Sequence, residues 1–195
     1  MGEGILQTLR SRQGLILEPR RSPKLLMRPP TSPICQTDIR WILPNRLAIG
    51  SLPNPAYAST LTSANIEVVL SLCAEAEGRL PQNIAEKFHS QRYILPNRYY
   101  LLPLLPAHLE MATELLHRQL RRQRPVYVHC QRGIERSPLV CAAYLCRYHQ
   151  LGGLEALRYV QQVQAIASPT NTQINVLQAF IDQSSKSLVS TEISV

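Results

Sequence analysis

Aspartate is almost missing from this chain: Asp38 and Asp182 are the only two. Chemistry that needs an aspartate in the middle of the sequence is excluded or falls to another residue. Long apolar runs are missing too. No stretch reaches the roughly 20 residues a membrane-spanning helix requires, and Met1-Gly2-Glu3-Gly4-Ile5-Leu6 lacks the charged and apolar regions of a secretory signal. A soluble cytoplasmic protein is the expectation. The cysteines, at 35, 73, 130, 141 and 146, form neither an even set nor a zinc-ligand spacing, and the histidines at 89, 108, 117, 129 and 149 are scattered. Structural disulfides, a metal ion and a cofactor are not expected.

Positive charge is plentiful, and 21 Lys and Arg against 13 Asp and Glu leave a formal charge of +8. Much of it lies near the start, where Arg10, Arg12, Arg20, Arg21, Lys24 and Arg28 are interleaved with Pro19, Pro23, Pro29 and Pro30. Residues 1–40 therefore read as a flexible basic arm, able to touch an anionic partner but adequately explained as a solvated tail. No nucleic acid is expected. Residues 41–182 are long enough for one folded domain, and 183–195 read as a second flexible tail.

Within the domain, Arg46–Ser51 and Ile66–Cys73 read as strands, with a helix over Pro55–Ser63 between them. Tyr93-Ile94-Leu95 is a strand candidate, and a Pro96–Pro106 loop follows. Leu109–Arg122 has helical periodicity, with Met111, Leu115, Leu116 and Leu120 on neighbouring faces. Val126-Tyr127-Val128 is a strand, and Ser137–Tyr148, Leu154–Ala165 and Thr172–Ile181 are helices. Strands alternating with helices imply an α/β fold with a central, mostly parallel sheet flanked by helices, and ligands at the carboxyl ends of the strands.

The chemistry concentrates in Val128-His129-Cys130-Gln131-Arg132-Gly133-Ile134-Glu135-Arg136-Ser137-Pro138. A cysteine and an arginine bracket a five-residue turn whose backbone N–H groups can converge on an anion. Arg136 offers the planar, two-pronged donor that suits two phosphate oxygens. Inward amides, a helix N-terminus and a guanidinium all favour thiolate over thiol, which makes Cys130 the candidate nucleophile. Gly133 allows close backbone approach. Ser137 can hydrogen-bond the sulfur and ease its departure from a phosphocysteine intermediate, and it also suits a helix N-cap, with Pro138 at the first helical position.

His129, Cys130, Gly133, Arg136 and Ser137 match the His-Cys-x-x-Gly-x-x-Arg-Ser signature, and the chain resembles the dual-specificity branch of the cysteine-dependent protein tyrosine phosphatases over most of 41–182. The resemblance implies that family's fold, a phosphorylated protein substrate, and hydrolysis of phosphotyrosine, phosphoserine or phosphothreonine. It implies that His129, which also orients the loop, belongs with Gln131, Arg132, Gly133, Ile134 and Glu135 to the set that contacts substrate or tunes its choice. Ser71-Leu72-Cys73-Ala74-Glu75 further resembles the Leu-Cys-Ala-Glu of related lipid phosphatases. That likeness makes Cys73 a candidate redox partner for an oxidised Cys130, against the plainer reading of a small buried hydrophobe.

The resembled family protonates the leaving group with an aspartate upstream of the cysteine, and this chain has none there. Asn97, in Leu95-Pro96-Asn97-Arg98, stands where that acid is expected. A carboxamide cannot supply the proton, and general acid catalysis typically contributes about 10²–10⁴-fold. Three readings follow: a slow enzyme that relies on Cys130 and Arg136, an enzyme in which His108 or Glu110 supplies the proton, and a pseudophosphatase that binds phosphorylated partners. The first is preferred, with a phosphoinositide phosphatase kept as an alternative. On that first reading, aspartate at position 97 would restore the missing acid.

Overall fold

A computed structural model describes residues 39–97 and 102–192, with side chains to residue 184. The basic arm up to residue 38, Cys35 and the last three residues lie outside the described residues. The order of elements is β1 (Arg40–Leu43), β2 (Leu47–Ser51), α1 (Tyr57–Ser63), β3 (Val68–Ser71), a 3-10 turn (Glu75–Glu77), α2 (Gln82–Lys87), β4 (His89–Arg92), α3 (Pro106–Arg121), β5 (Val126–Cys130), α4 (Arg136–His149), α5 (Gly153–Val163) and α6 (Asn171–Glu192). No helix among the described residues is long and apolar enough to cross a membrane.

The five strands form one sheet in the order β1-β2-β5-β3-β4, in which only β1 runs antiparallel to its neighbour. The mostly parallel sheet expected from sequence is therefore present. β5 sits in the middle, between β2 and β3, and all five of its residues are buried. Its alternation splits the core in two. Val126, Val128 and Cys130 join Ile49, Val68, Leu70 and residues of α3 to α6 in the larger cluster, while Tyr127 joins Ala48, Val69, Leu61 and Ile84 in the smaller one. α4 is buried continuously from Arg136 to Leu145, because α3, α5, α6 and the sheet surround it. A helix enclosed on all sides needs apolar and small residues all round, and Leu139-Val140-Cys141-Ala142-Ala143 supplies them. Burial pushes the Cys141 thiol far up and that of Cys146 up to about 12, so both are inert packing residues.

Several boundaries differ from the sequence expectation. The strand at the β4 edge is His89-Ser90-Gln91-Arg92 rather than Tyr93-Ile94-Leu95; its polar side chains at the sheet margin carry no apolar alternation. Tyr93 and Leu95 still donate backbone hydrogen bonds to Ser71 and Leu72, at 2.9 and 3.1 Å, so the extended chain continues beyond the strand. In α3 the buried stripe is Leu109, Ala112, Leu116 and Leu120, and Met111 faces outward. α6 runs to Glu192, past the Ile181 end expected from sequence and through most of the segment read as a loose tail.

One close approach sets the geometry under the central strand. Tyr127 crosses to β2 and donates its hydroxyl to Ser51 O at 2.8 Å. It occupies the space beside Gly50, where a Cβ would lie 2.0 Å from the phenol oxygen. Gly50→Ala should therefore cost about 1–3 kcal/mol of unfolding free energy through overpacking. Adding Tyr127→Phe should recover part of that loss; denaturant titration of the two variants checks both outcomes.

Candidate active site

Cys130 ends β5 at the carboxyl edge of the sheet, and residues 131–135 carry the chain into α4. Gly133 takes φ 71°, a left-handed conformation natural to glycine, and a Cβ there would meet Gln164 Nε2 at 2.8 Å and Gly50 at 3.0 Å. The loop carbonyls are drawn outward. Leu52 N–H donates to Gln131 O at 3.2 Å, Gln164 Nε2 to Gly133 O at 3.1 Å, and Ser168 N–H to Ile134 O at 2.8 Å. With its carbonyls engaged outside, the loop can present N–H groups inward. Gly133 N–H donates to Cys130 Sγ at 3.3 Å. The Ser137 hydroxyl lies 3.4 Å from the same sulfur and 3.1 Å from Gly50 O, so its one hydrogen chooses between them. A charged sulfur competes for it better than a neutral one.

Arg136 is the first residue of α4, which makes Glu135 the N-cap. The expected Ser137 cap and Pro138 at the first helical position are therefore displaced inward, because the helix starts earlier to aim Arg136. Its side chain is 6% exposed and its partner Glu77 is 8% exposed. Nη2 donates to Glu77 Oε1 at 2.7 Å, while Nη1 donates to Oε2 at 2.9 Å and shares its hydrogens with Leu72 O and Leu95 O at 3.3 and 3.4 Å. Among the described residues nothing accepts from Nε–H or from the other Nη2 hydrogen. That edge carries two parallel donors, the arrangement that grips two oxygens of one phosphate. Burial alone would raise the Glu77 carboxyl, yet hydrogen bonds from Arg136, Asn97 and Ala74 N–H, with the Arg136 charge, hold it at about 2.

His129 is fully buried and packs beside Tyr127, so it does not line the cavity with the substrate-contacting residues with which the sequence grouped it. The register of β3 and β5 sets Ser71 opposite His129. Since Cys130 O can only accept, Nδ1–H of His129 points toward it at 3.3 Å, and Nε2 receives the Ser71 hydroxyl at 2.8 Å. Burial pushes the imidazole down to about 4, helped by the Arg92 charge and opposed by the bond to Cys130. It is a neutral brace for the strand end.

The cavity above the sulfur holds about 450 Å³. From the sequence-predicted set it is lined by Asn97, Cys130, Gln131, Arg132, Ile134, Glu135 and Arg136, with Ala76, Glu77 and Ser168 in addition. Gly133 and Ser137 sit beneath it, buried. His108 and Glu110 are elsewhere. His108 Nδ1 caps its own helix by accepting Leu105 N–H at 2.9 Å, and Glu110 pairs with Arg147 at 3.3 Å. Sequence reasoning missed Glu77; the available signal was a short acidic stretch, Glu75 to Glu77, just past the carboxyl end of a strand beside the Cys130 strand.

Residues 49–183 match the family described as Dual specificity phosphatase, catalytic domain. The chain belongs to that family. Among relatives of this dual-specificity domain is Tyrosine-protein phosphatase vhp-1 of Caenorhabditis elegans, 30% identical over 76% of this chain and 22% of that protein. Another is Phosphatidylglycerophosphate phosphatase PTPMT2 of Arabidopsis thaliana, 22% identical over 74% of this chain and 64% of that protein. The chain thus spans less than two thirds of the length of these curated relatives. The fold is that of the crystal structure of PTPMT1 in complex with PI(5)P, with a TM-score of 0.65 and 21% identity over 74% of this chain and 95% of that one.

The buried imidazole gives this dual-specificity domain an acid limb. A histidine that takes a proton more readily unfolded than folded contributes stability above about pH 6.5, lost as pH falls through its folded value of about 4. The loss is on the order of 3 kcal/mol when complete. His117 and His149, also lowered by burial, act in the same direction. Denaturant titrations between these pH values should show stability falling, with a shallower slope in His129→Asn.

Proposed function

We propose that this chain hydrolyses phosphate monoesters of phosphorylated proteins, phosphotyrosine foremost, through a phosphocysteine intermediate. The observation that carries this reading is the alignment of Cys130 Sγ, under the Gly133 N–H, with the open Nε/Nη2 edge of Arg136 in one cavity. The thiolate attacks phosphorus, a P–S bond forms and the ester P–O bond breaks in line. The three equatorial oxygens gather charge as this happens, and the loop amides with Arg136 stabilise it. Water then attacks phosphorus, the P–S bond breaks, and inorganic phosphate leaves. The Ser137 hydroxyl turns from Gly50 O to the departing sulfur and stabilises the thiolate.

The leaving group receives little help. Asn97 has no acidic proton, and Glu77 is committed to Arg136. Glu135, on the cavity wall, accepts from Gln173 Nε2 at 3.4 Å. Weakly basic aryl leaving groups suffer least. Two arginines and two glutamates among the lining residues balance, which suits one phosphate better than a polyanionic headgroup. A reducing compartment such as the cytoplasm fits a working thiolate.

A phosphotyrosine peptide should release inorganic phosphate on the order of 10²–10⁴-fold faster than the matching phosphoserine peptide. Cys130→Ser should lose at least about 10³-fold of that activity. Retention of the phosphopeptide by wild type with no phosphate released would reject the enzyme in favour of the pseudophosphatase. Faster release from phosphoinositide vesicles would move the substrate class to lipid.

Cys73, buried just beyond β3 beside the Cys130 strand, fits a protective role. Peroxide converts the Cys130 thiolate to a sulfenic acid; the Cys73 thiol attacks that sulfur, water leaves and a disulfide forms. Activity lost to peroxide should return with dithiol in wild type and not in Cys73→Ser. Equal recovery in both would assign Cys73 to packing alone.

A further inference from the structure

The carboxylate that grips Arg136 has no accepting position to spare. Glu77 Oε1 receives Arg136 Nη2 at 2.7 Å and Asn97 Nδ2 at 2.8 Å. Oε2 receives Arg136 Nη1 and Ala74 N–H, each at 2.9 Å. Each oxygen thus accepts two donors, which is the full complement of an ionised carboxyl. Its backbone is tied as well, since Glu77 O accepts Gln131 Nε2 at 2.8 Å. Three of the four donors come from the arginine and the local turn. The fourth, Asn97, reaches across from the segment after β4 and, among the described residues, is the only side chain other than Arg136 that donates to the Glu77 carboxylate.

We propose that Asn97 is a positioning residue for the phosphate-binding arginine: its amide N–H fixes the Glu77 carboxylate, which in turn holds Arg136 with its Nε/Nη2 edge toward the cavity. The proposal rests on the phosphatase reading for its purpose. It changes the meaning of the residue that stands in for the expected aspartate. Position 97 is a required donor, and a carboxylate there would meet Glu77 at a hydrogen-bond separation with like charge. Two carboxylates at that distance cannot both be ionised without strain, so one of them keeps a proton. Aspartate at 97 is therefore tolerated only while a shared proton bridges it to Glu77, and a proton spent on that bridge is not offered to a leaving group.

The consequence is opposite to simple restoration of an acid, and pH separates the two. The full chain as wild type, Asn97→Ala and Asn97→Asp is titrated calorimetrically with inorganic phosphate at about pH 5 and about pH 8, each variant compared with wild type at the same pH so that ionisation of the ligand cancels. Asn97→Ala should bind phosphate about tenfold more weakly at both pH values, the loss of one charge-assisted hydrogen bond. Asn97→Asp should stay within about twofold of wild type at the lower pH and fall to about tenfold weaker or more at the higher. With an aryl phosphate as substrate, the Asn97→Ala defect should appear in KM more than in kcat.

A readout that needs no ligand runs alongside. The NMR signal of the Arg136 Nε–H should be sharp in unliganded wild type, broadened in Asn97→Ala, and broadened in Asn97→Asp at the higher pH alone. An Asn97→Asp protein that matches wild type at both pH values and gains turnover on alkyl phosphates would overturn the proposal. So would an Arg136 signal indifferent to both substitutions. If wild type binds no phosphate while the Arg136 signal responds as described, the positioning chain stands and the phosphatase reading fails.

Discussion

Everything at the mouth of the sheet turns on one buried ion pair. Glu77 follows β3 and Arg136 opens α4, so their bidentate contact ties the two elements that flank the Cys130 strand. Burying two charges is expensive, and their attraction repays it only where geometry is good and the remaining hydrogen-bonding positions are filled. Both conditions hold: the pair is parallel and doubly bonded, and Asn97 and Ala74 occupy the other accepting positions of the carboxylate. Such a pair contributes little net stability over an apolar equivalent. What it supplies is direction, since a guanidinium held on its Nη1/Nη2 edge presents the Nε/Nη2 edge to whatever enters the cavity.

The loop that faces this guanidinium is held from beneath by a second set of contacts. Neither Gly50 nor Gly133 has room for a Cβ without displacing a neighbour, Tyr127 in the first case and Gln164 and the Gly50 backbone in the second. Gln164, fully buried, fills the remaining space and donates to Gly133 O, while its own carbonyl oxygen accepts from Arg40 on β1. The first strand, the fifth helix's end and the phosphate loop are thereby joined in one hydrogen-bonded chain. With carbonyls bound below, the amides are left for an anion above, which is how an uncharged backbone comes to favour negative charge.

What was legible in the sequence followed from local rules. The Cys-to-Arg loop could be placed because a short buried strand feeds it and a helix of small apolar residues leaves it. The mostly parallel sheet and the α/β layering followed from alternating elements, whereas the central position of β5 came only with the fold. What escaped depends on contacts distant in sequence. β4 is polar because it lies at the sheet edge, so its pattern carries no signal. Glu77 lies 59 residues from Arg136, and a glutamate in a turn looks like any solvated charge until the fold brings them together. His129 shows the reverse: its neighbour Cys130 suggested a place at the substrate, whereas strand alternation turns it to the opposite face of the sheet.

The balance between charge stabilisation and proton supply shapes the selectivity of such a site. On the proposed mechanism its donors serve the transferred phosphoryl group, while among the described cavity residues the Glu77 carboxyl is drawn toward its ionised form by Arg136 and Glu135 is engaged by Gln173. A leaving group must then depart mostly on its own acidity. The tyrosine phenol, with an ordinary pKa near about 10, can do so, whereas the hydroxyls of serine and threonine are far weaker acids. On the reading proposed here, preference for phosphotyrosine arises from the chemistry of bond breaking even if the cavity admits all three residues. The asparagine proposed as a positioning residue at 97 is then consistent with that mechanism: a proton donor is given up, and in exchange the arginine proposed to grip the phosphate is held in place.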